Sequence, residues 1–280
     1  MSLSAPAPTP TDGGWQASLA LGFERRGNRT VLTHRRQRGP LAVQRSFYPE
    51  GEPCHLYLLH PPGGVVGGDR LEIQAGVGSG AHALVTTPGA AKFYRSAGAR
   101  AQQIQTLNVA AGGCLEWLPQ ENILFPGANA RLATDVQLHG DARFVGWELH
   151  CLGRPANDEA FHTGHADFGL RLERDGRPLF CDRLTLTGGQ DLGRPTGLRG
   201  HPVCATLVAT GAGPDAIPTA RDAIDAATAE IGITGMDDIL VARYLGDSTE
   251  RARHCFVAIW QALRPLLLGR EACVPRIWAT

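Results

Sequence analysis

The chain has 280 residues with 27 basic and 27 acidic side chains, a balance that excludes bulk positive charge as a means of binding nucleic acid or an anionic membrane. Its 35 glycines and 19 prolines exclude a coiled coil or a plain helical bundle, because both residue types break helix interiors. Hydrophobic residues make up 43% of the chain, too many for a disordered protein.

The first 14 residues are rich in alanine, proline and threonine and are predicted to form a disordered tail, not a signal peptide. No long polar linker follows, so residues 15–280 are predicted to form a single domain. Polar residues interrupt the apolar stretch at 256–268, which argues against a membrane span. Seven cysteines without a C-x-x-C motif argue against a disulfide framework and indicate a reducing cytoplasm.

From residue 15 to about 210 the sequence consists of short apolar runs separated by glycine, which predicts many short strands joined by tight turns. A weak echo is visible in three of them, at 80–88, 113–119 and 140–149, with a spacing of about 30 residues that suggests stacked β layers or arises by chance. The fold class predicted is mainly β, and the clearest predicted strands are 41–48, 55–60, 81–87, 103–109, 114–118, 144–152, 178–187 and 203–210.

The last quarter changes character and predicts two helices. The first, over 219–231, is alanine-rich and has Gly232 as its expected C-cap. One more strand is expected over 239–245. The second helix is expected to start near Asp247, with Asp247 and Glu250 as a capping box, and to kink or end at Pro265.

The segment at 60–69, His-Pro-Pro-Gly-Gly-Val-Val-Gly-Gly-Asp, is the most distinctive in the chain. Two glycine pairs can point backbone N–H groups at an anion, but no Gly-Lys-Ser/Thr and no helical pattern follow, so a double tight turn is the preferred interpretation. Asp69 comes directly after this backbone, where its carboxylate could face a cavity.

Lys92 is the only lysine, and it lies next to Tyr94 and Arg95 in the segment 87–96. These side chains could form an anion site or supply an amine nucleophile, whereas packing and surface pairing are the ordinary alternative. Esterase, metalloprotease, kinase and dinucleotide motifs are all missing, which argues against an ordinary enzyme.

Three acidic residues interrupt apolar, strand-like runs: Glu116, Glu148 and Asp182. Strand alternation places them either on a solvated face or along an internal polar path, where each needs a partner, a cation or water. His150 and Cys151 follow Glu148 as borderline metal ligands.

The order of these segments resembles the UreD (UreH) family of urease accessory proteins. The segments that carry the resemblance run from Trp15 to the C-terminus and are 39–45, 47–51, 55–69, 87–90, 92–96, 117–121, 126–128, 151–155 and 275–278. The resemblance implies a mostly β protein with strands stacked in a helical β arrangement and two helices in the last quarter.

The resemblance also implies a function: a non-enzymatic chaperone that acts with the accessory proteins UreF and UreG, the latter a GTPase, on apo-urease. Nickel would be a transient cargo, with no tightly bound cofactor, and would travel through a water-filled passage. Asp69, Glu148 and Asp182 are then the candidates for lining that passage. Scattered carboxylates suit a conduit, because a full thiolate and imidazole cage would trap the ion.

Two alternatives stay open on the sequence. One is an enzyme in which Lys92 and Tyr94 act on an anionic substrate held by the glycine-rich turn. The other is a β-solenoid scaffold that bridges partners and never touches metal.

Overall fold

The computed structural model describes residues 13–189, 191–224 and 230–279. Its elements in chain order are β1 Gln16–Arg26, β2 Arg29–Arg38, β3 Ala42–Val43, β4 Cys54–Leu59, β5 Arg70–Val77, β6 His82–Thr86, β7 Ala91–Phe93, β8 Ala101–Val109, β9 Cys114–Leu118, β10 Asn122–Leu124, β11 Asn129–Leu138, β12 Arg143–Arg154, β13 Glu159–Ala160, β14 His165–Arg174, β15 Arg177–Thr187, β16 Val203–Thr210, α1 Ala216–Asp222, β17 Ile231–Met236, β18 Ile239–Gly246 and α2 Thr249–Leu268. The predicted fold class is confirmed: strands dominate, and two α-helices lie in the last quarter of the described chain.

The strands form two sheets that face each other. The first has seven strands in the order β15-β14-β11-β8-β5-β1-β2, and the second has eleven, with the main path β17-β18-β16-β12-β9-β6-β4-β3. Between β4 and β14 the chain alternates between the sheets, so that β5, β8, β11 and β14 are parallel neighbours in one and β4, β6, β9 and β12 in the other. This alternation is the coiling of a β-solenoid.

The sequence echo corresponds to one row of this solenoid. Its three members are β6, β9 and β12, adjacent parallel strands in which His82, Cys114 and Arg143 are in register. Each coil repeats a glycine turn and a buried strand because each meets the same neighbours above and below.

Two apolar cores give the molecule three layers. The first core fills the space between the sheets, with Leu19, Leu107 and Phe144 among its buried members. The second lies between the eleven-stranded sheet and the helices, where Trp147 packs near Phe256. The second sheet is therefore covered on both faces, which is why its strands read as continuous apolar runs.

The first helix is shorter than the sequence indicated. Helix α1 ends at Asp222, residues 225–229 with Ala227 lie outside the described residues, and Gly232 belongs to β17, so the prediction of a C-cap there was wrong. Residue Ile231 is in register with Tyr244 across a β17–β18 hairpin. The ladder hydrogen bonds of that hairpin explain why Ile231 and Gly232 are in a strand and not at the end of a helix.

The second helix also differs at both ends. The side chain of Ser248, and not Asp247, caps α2 by accepting a hydrogen bond from the N–H of Arg251. The helix continues past Pro265 to Leu268 and ends at Gly269, whose φ of 63° gives a left-handed C-cap. Of the predicted strand 41–48, only Ala42–Val43 is a strand, followed by an isolated bridge between Phe47 and His55.

The structure also bears on the expectations about membrane spans, cysteines and the N-terminal tail. Neither described helix is long and apolar enough to cross a membrane. All seven cysteines are free, as the lack of paired motifs indicated. The predicted tail lies mainly outside the described residues, and the prediction of a single domain over 15–280 stays a prediction.

Candidate functional site

A row of polar side chains crosses the apolar space between the two sheets. The indole N–H of Trp117 donates to Gln105 Oε1 over 3.1 Å, and Thr134 Oγ1 lies 3.0 Å from the same oxygen. The Thr134 hydroxyl also contacts Glu148 Oε1, and Glu148 Oε2 lies 3.4 Å from Nε2 of His150. Gln105, Thr134 and His150 are all buried, so a polar path runs where packing alone would place aliphatic side chains.

Strand alternation explains why these residues meet. On β12, the side chains of Phe144, Glu148 and Leu152 face the first sheet, whereas Trp147 and Cys151 face the helices. The same alternation separates His150 from Cys151, so the two residues do not form a joint metal site. Burial, with the nearby charge of Glu121, raises the pKa of the Cys151 thiol to about 12.

Two cavities lie between the sheets, and Glu148 lines both. The first, of about 220 Å³, is bordered by the glycine-rich segment and by Gln105, Asn122 and Thr134. The second, of about 340 Å³, is bordered by His150, Asp182 and Cys204. Glu148 is thus the carboxylate at the junction of the two cavities.

Oxygen atoms compete for one proton at this junction. Thr134 has a single hydroxyl proton for two acceptors, Gln105 Oε1 and Glu148 Oε1. That proton can satisfy only one of the two oxygens at a time, and oxygen atoms are the ligands that a hydrated or partly hydrated cation accepts. Within the described residues, no group of three or more His, Cys, Asp or Glu is arranged to hold a metal ion, so the junction is not a closed metal cage.

The second cavity is lined by a histidine and a cysteine, whose nitrogen and sulfur atoms bind a metal only when they are deprotonated. The ring of His150 stacks on Phe168 with centroids 3.9 Å apart, and its Nδ1 lies 3.5 Å from Asn122 Nδ2. Burial, together with the charges of Asp182 and Glu148, raises the pKa of Cys204 to about 12, which keeps the thiol protonated. A protonated thiol is a weak metal ligand.

The other predicted site acids lie in different settings. Asp182 lines the second cavity, but it is partly exposed and pairs with Arg243 Nη2 at 2.9 Å. Asp69 is buried, and its two oxygens accept backbone N–H groups, from Trp15 at 2.8 Å and from Val66 at 2.9 Å. The structure therefore gives Asp69 a role in holding the glycine-rich turn, and its part in a metal path stays a prediction.

The glycine-rich segment is built as a turn. The N–H groups of Gly63, Val65 and Gly68 donate to carbonyl oxygens of the chain. A Cβ at Gly64 would lie 2.1 Å from Cε2 of Tyr94, and one at Gly67 would lie 2.1 Å from a serine hydroxyl. Close approach of the neighbouring segment, not an anion, is thus the reason that this backbone needs glycine.

Lys92 and Tyr94 do not form a catalytic pair with this turn. Lys92 is exposed on the edge strand β7, whereas the ring of Tyr94 packs against Gly64 and edge-on to Phe125, with centroids 4.8 Å apart. The contacts of Tyr94 are those of a packing residue, which weakens the enzyme alternative.

Glu116 belongs to neither cavity and anchors the helix layer instead. It is fully buried, and its Oε2 accepts a hydrogen bond from Trp260 Nε1. Its Oε1 accepts a hydrogen bond from the guanidinium of Arg264 and lies 2.7 Å from His82 Nε2. Burial alone would raise the pKa of Glu116, but the hydrogen bond from His82 and the charge of Arg264 outweigh it and lower the pKa to about 2. The solvated-face interpretation is wrong for Glu116.

Sequence reasoning missed the partners of all these acids. Gln105 and Thr134 are ordinary strand residues in sequence, and Arg264 appeared only as an interruption of an apolar stretch. The signal that could have found them is a polar residue at an inward position of an alternating strand, which requires the strand register.

Comparison with known proteins places the whole fold in one family. The family model described as UreD urease accessory protein matches residues 16–279. The chain is 50% identical to the urease accessory protein UreD of Alcanivorax borkumensis over 95% of this chain and 93% of that protein. It is 46% identical to the UreD of Dechloromonas aromatica over 100% and 99% of the two chains, and 49% identical to that of Azoarcus sp. over 95% of each. The chain therefore belongs to the UreD family of urease accessory proteins.

Proposed function

We propose that this protein assists urease maturation by letting nickel pass between its two sheets, from one cavity to the other, past Glu148. It acts as a chaperone and not as a catalyst, in a complex with UreF, UreG and apo-urease in the cytoplasm. The observation that carries the proposal is that one carboxylate, Glu148, lines both cavities and lies among the buried polar side chains of Thr134 and His150. Family membership supports the role in urease maturation.

The chemistry of the lining suits an ion that must leave again. Nickel prefers nitrogen and sulfur ligands, so amide, hydroxyl and single carboxylate oxygens hold it loosely. Of the stronger ligands, Cys204 is held back by protonation of its buried thiol, and the Nε2 of His150 lies 3.4 Å from Glu148 Oε2. Several weak stations in sequence favour transit over storage, as in ion channels.

The negative charge of Glu148 is the property that the passage of nickel depends on. We expect Glu148→Gln, which keeps the shape and removes the charge, to lower the nickel content and the activity of urease matured with it about tenfold or more, since the ion loses its counter-charge in a site of low dielectric constant. Assembly of the complex should be unchanged, because Glu148 is enclosed between the sheets.

The matched control is Glu72→Gln, which removes an acid from β5 that pairs with Arg70 and is 41% exposed. Urease is matured by co-expression with each variant, and its nickel is measured by elemental analysis of the purified enzyme. If Glu148→Gln yields urease with the same nickel content as Glu72→Gln, the passage proposal is wrong. If urease matures equally without this chain, the whole function fails.

A further inference from the structure

Three large hydrophobic side chains lie exposed beside the first cavity. Among the described residues, six such side chains are exposed, and three of them, Trp15 at 55%, Val66 at 45% and Tyr94 at 38%, belong to segments joined by backbone contacts. The Trp15 N–H and the Val66 N–H donate to the two oxygens of Asp69, and the Tyr94 N–H donates to the carbonyl of residue 65. We call these three side chains the Trp15 patch.

The patch is held on fixed backbone. One buried carboxylate, Asp69, fastens the segments that carry Trp15 and Val66, and an isolated bridge between Val65 and Phe93 brings Tyr94 alongside. The ring of Tyr94 is further confined by the edge-on contact with Phe125. Anchors held in this way lose little conformational entropy on binding, which is a property of efficient interaction surfaces.

Exposed cations lie on the segments that carry the patch and around them. Lys92, Arg95 and Arg100 are exposed around Tyr94. Among the residues that the structure describes, neither Lys92 nor Arg95 forms an ion pair, and the guanidinium of Arg100 donates to the side-chain oxygen of Asn129. In a chain with equal numbers of acids and bases, such a local excess of positive charge marks a surface for a partner of opposite charge.

We propose that the Trp15 patch is a docking surface for a protein partner whose own surface has an apolar pocket bordered by carboxylates. Exposed Trp and Tyr with Arg at the rim match the composition of interface hot spots. Lining residues of the first cavity, Gly64, Val65 and Lys92, belong to the same segments, so the bound partner lies next to that cavity. The proposal rests on the proposed function, since it assigns the partner to the urease maturation complex.

The test compares two variants of the full chain in the co-expressed complex with apo-urease, UreF and UreG. The first, Trp15→Ser/Tyr94→Ser, removes the aromatic anchors. The second, Lys92→Glu/Arg95→Glu, reverses two exposed charges that form no ion pair with any described residue and should leave folding intact. We expect each to weaken binding of this chain to the complex about tenfold or more, and the second effect to shrink between about 0.05 and 0.3 M salt.

Two control variants change the same chemistry elsewhere. Leu266→Ser/Val274→Ser removes exposed apolar side chains near the C-terminus, and Arg35→Glu/Arg36→Glu reverses exposed charges on β2. Both should bind the complex like the unaltered chain.

Three results would overturn the proposal. The first is binding of both patch variants at the level of the controls. The second is that binding is lost only in patch variants whose thermal midpoint is also lowered, while a patch variant with an unchanged midpoint binds normally. The third is that the unaltered chain sediments with phosphatidylserine vesicles and the patch variants do not, while all of them assemble into the complex equally. That result would assign the surface to a membrane.

If the unaltered chain itself joins no complex, the proposed function fails and this inference fails with it. Loss of nickel transfer with assembly intact concerns the passage past Glu148 and not the Trp15 patch.

Discussion

Arg264 gives the sharpest prediction about what holds the helix layer on the sheets. Its side chain is fully buried, with Nη2 2.9 Å from Glu116 Oε1 and 2.7 Å from Glu50 Oε1. The substitution Arg264→Gln removes the guanidinium from both acids and leaves the fully buried Glu116 with a hydrogen bond from Trp260 and the ion pair with His82. Removing one member of a buried ion pair costs about 3 to 5 kcal/mol of unfolding free energy.

That cost can be read as a thermal shift. At about 2 to 4 °C per kcal/mol for a domain near this size, the midpoint of thermal unfolding should fall by about 6 to 20 °C. The assay is circular dichroism of the purified chain during heating, supported by urea titration. The matched control is Arg251→Gln on the same helix, which removes an exposed pair with Glu230 at 2.7 Å and should change stability by less than about 1 kcal/mol.

An Arg264→Gln midpoint within about 2 °C of that of Arg251→Gln, a difference of about 1 kcal/mol or less, would show that the buried pair does not hold the helix layer. A second check uses coupling. Because the charges of Arg264 and Glu116 compensate each other, replacing both by apolar or neutral residues should cost less than the sum of the two single changes.

Three further predictions concern stability. The pKa of Glu116 is lowered from 4.5 to about 2, so its stabilising contribution is present above pH 4.5 and is lost as the pH falls towards 2. Urea unfolding at about pH 6 and about pH 3 measures this loss. The fall in unfolding free energy between the two pH values should be smaller for Glu116→Gln than for the unaltered chain. A Cβ at Gly188 would lie 2.6 Å from a backbone carbon, whereas one at Gly193 meets nothing within 4 Å, so Gly188→Ala should cost about 1 to 3 kcal/mol in a thermal melt and Gly193→Ala should not. Loss of the helix cap in Ser248→Ala should cost about 0.5 to 2 kcal/mol, more than Glu250→Ala in the same melt; equal effects would contradict the cap assignment.

The sequence predicted one of the two sheets much better than the other. Strands of the doubly covered sheet, such as Cys54–Leu59 and His82–Thr86, are buried along almost their whole length and stand out as apolar runs. Strands such as Arg70–Val77 and Asn129–Leu138 alternate between buried and half-exposed residues and contain several polar side chains. A search for apolar runs passes over them, and period-two alternation is the signal that finds them.

The candidate site was predictable only in part, for a related reason. Glu148 and Asp182 could be chosen because an acid inside an apolar run needs an explanation. Their surroundings could not, because Thr134 meets Glu148 only once the two sheets are stacked in register. Glu116 and Arg264 are 148 residues apart in sequence, so no local pattern links them. The role of Asp69 in fastening backbone N–H groups likewise depends on where Trp15 lies in space.

The most direct test of the central claim is the rate at which nickel moves from the loaded accessory complex into apo-urease, followed by urease activation after mixing purified components. Thr206 is in register with Glu148 and lines the second cavity, so Thr206→Phe should obstruct the space without altering a charge. We expect Thr206→Phe and Glu148→Gln each to slow transfer about tenfold or more while the complexes assemble normally, and Glu72→Gln to leave the transfer rate unchanged. Transfer at the unaltered rate in both variants would contradict passage of nickel between the sheets.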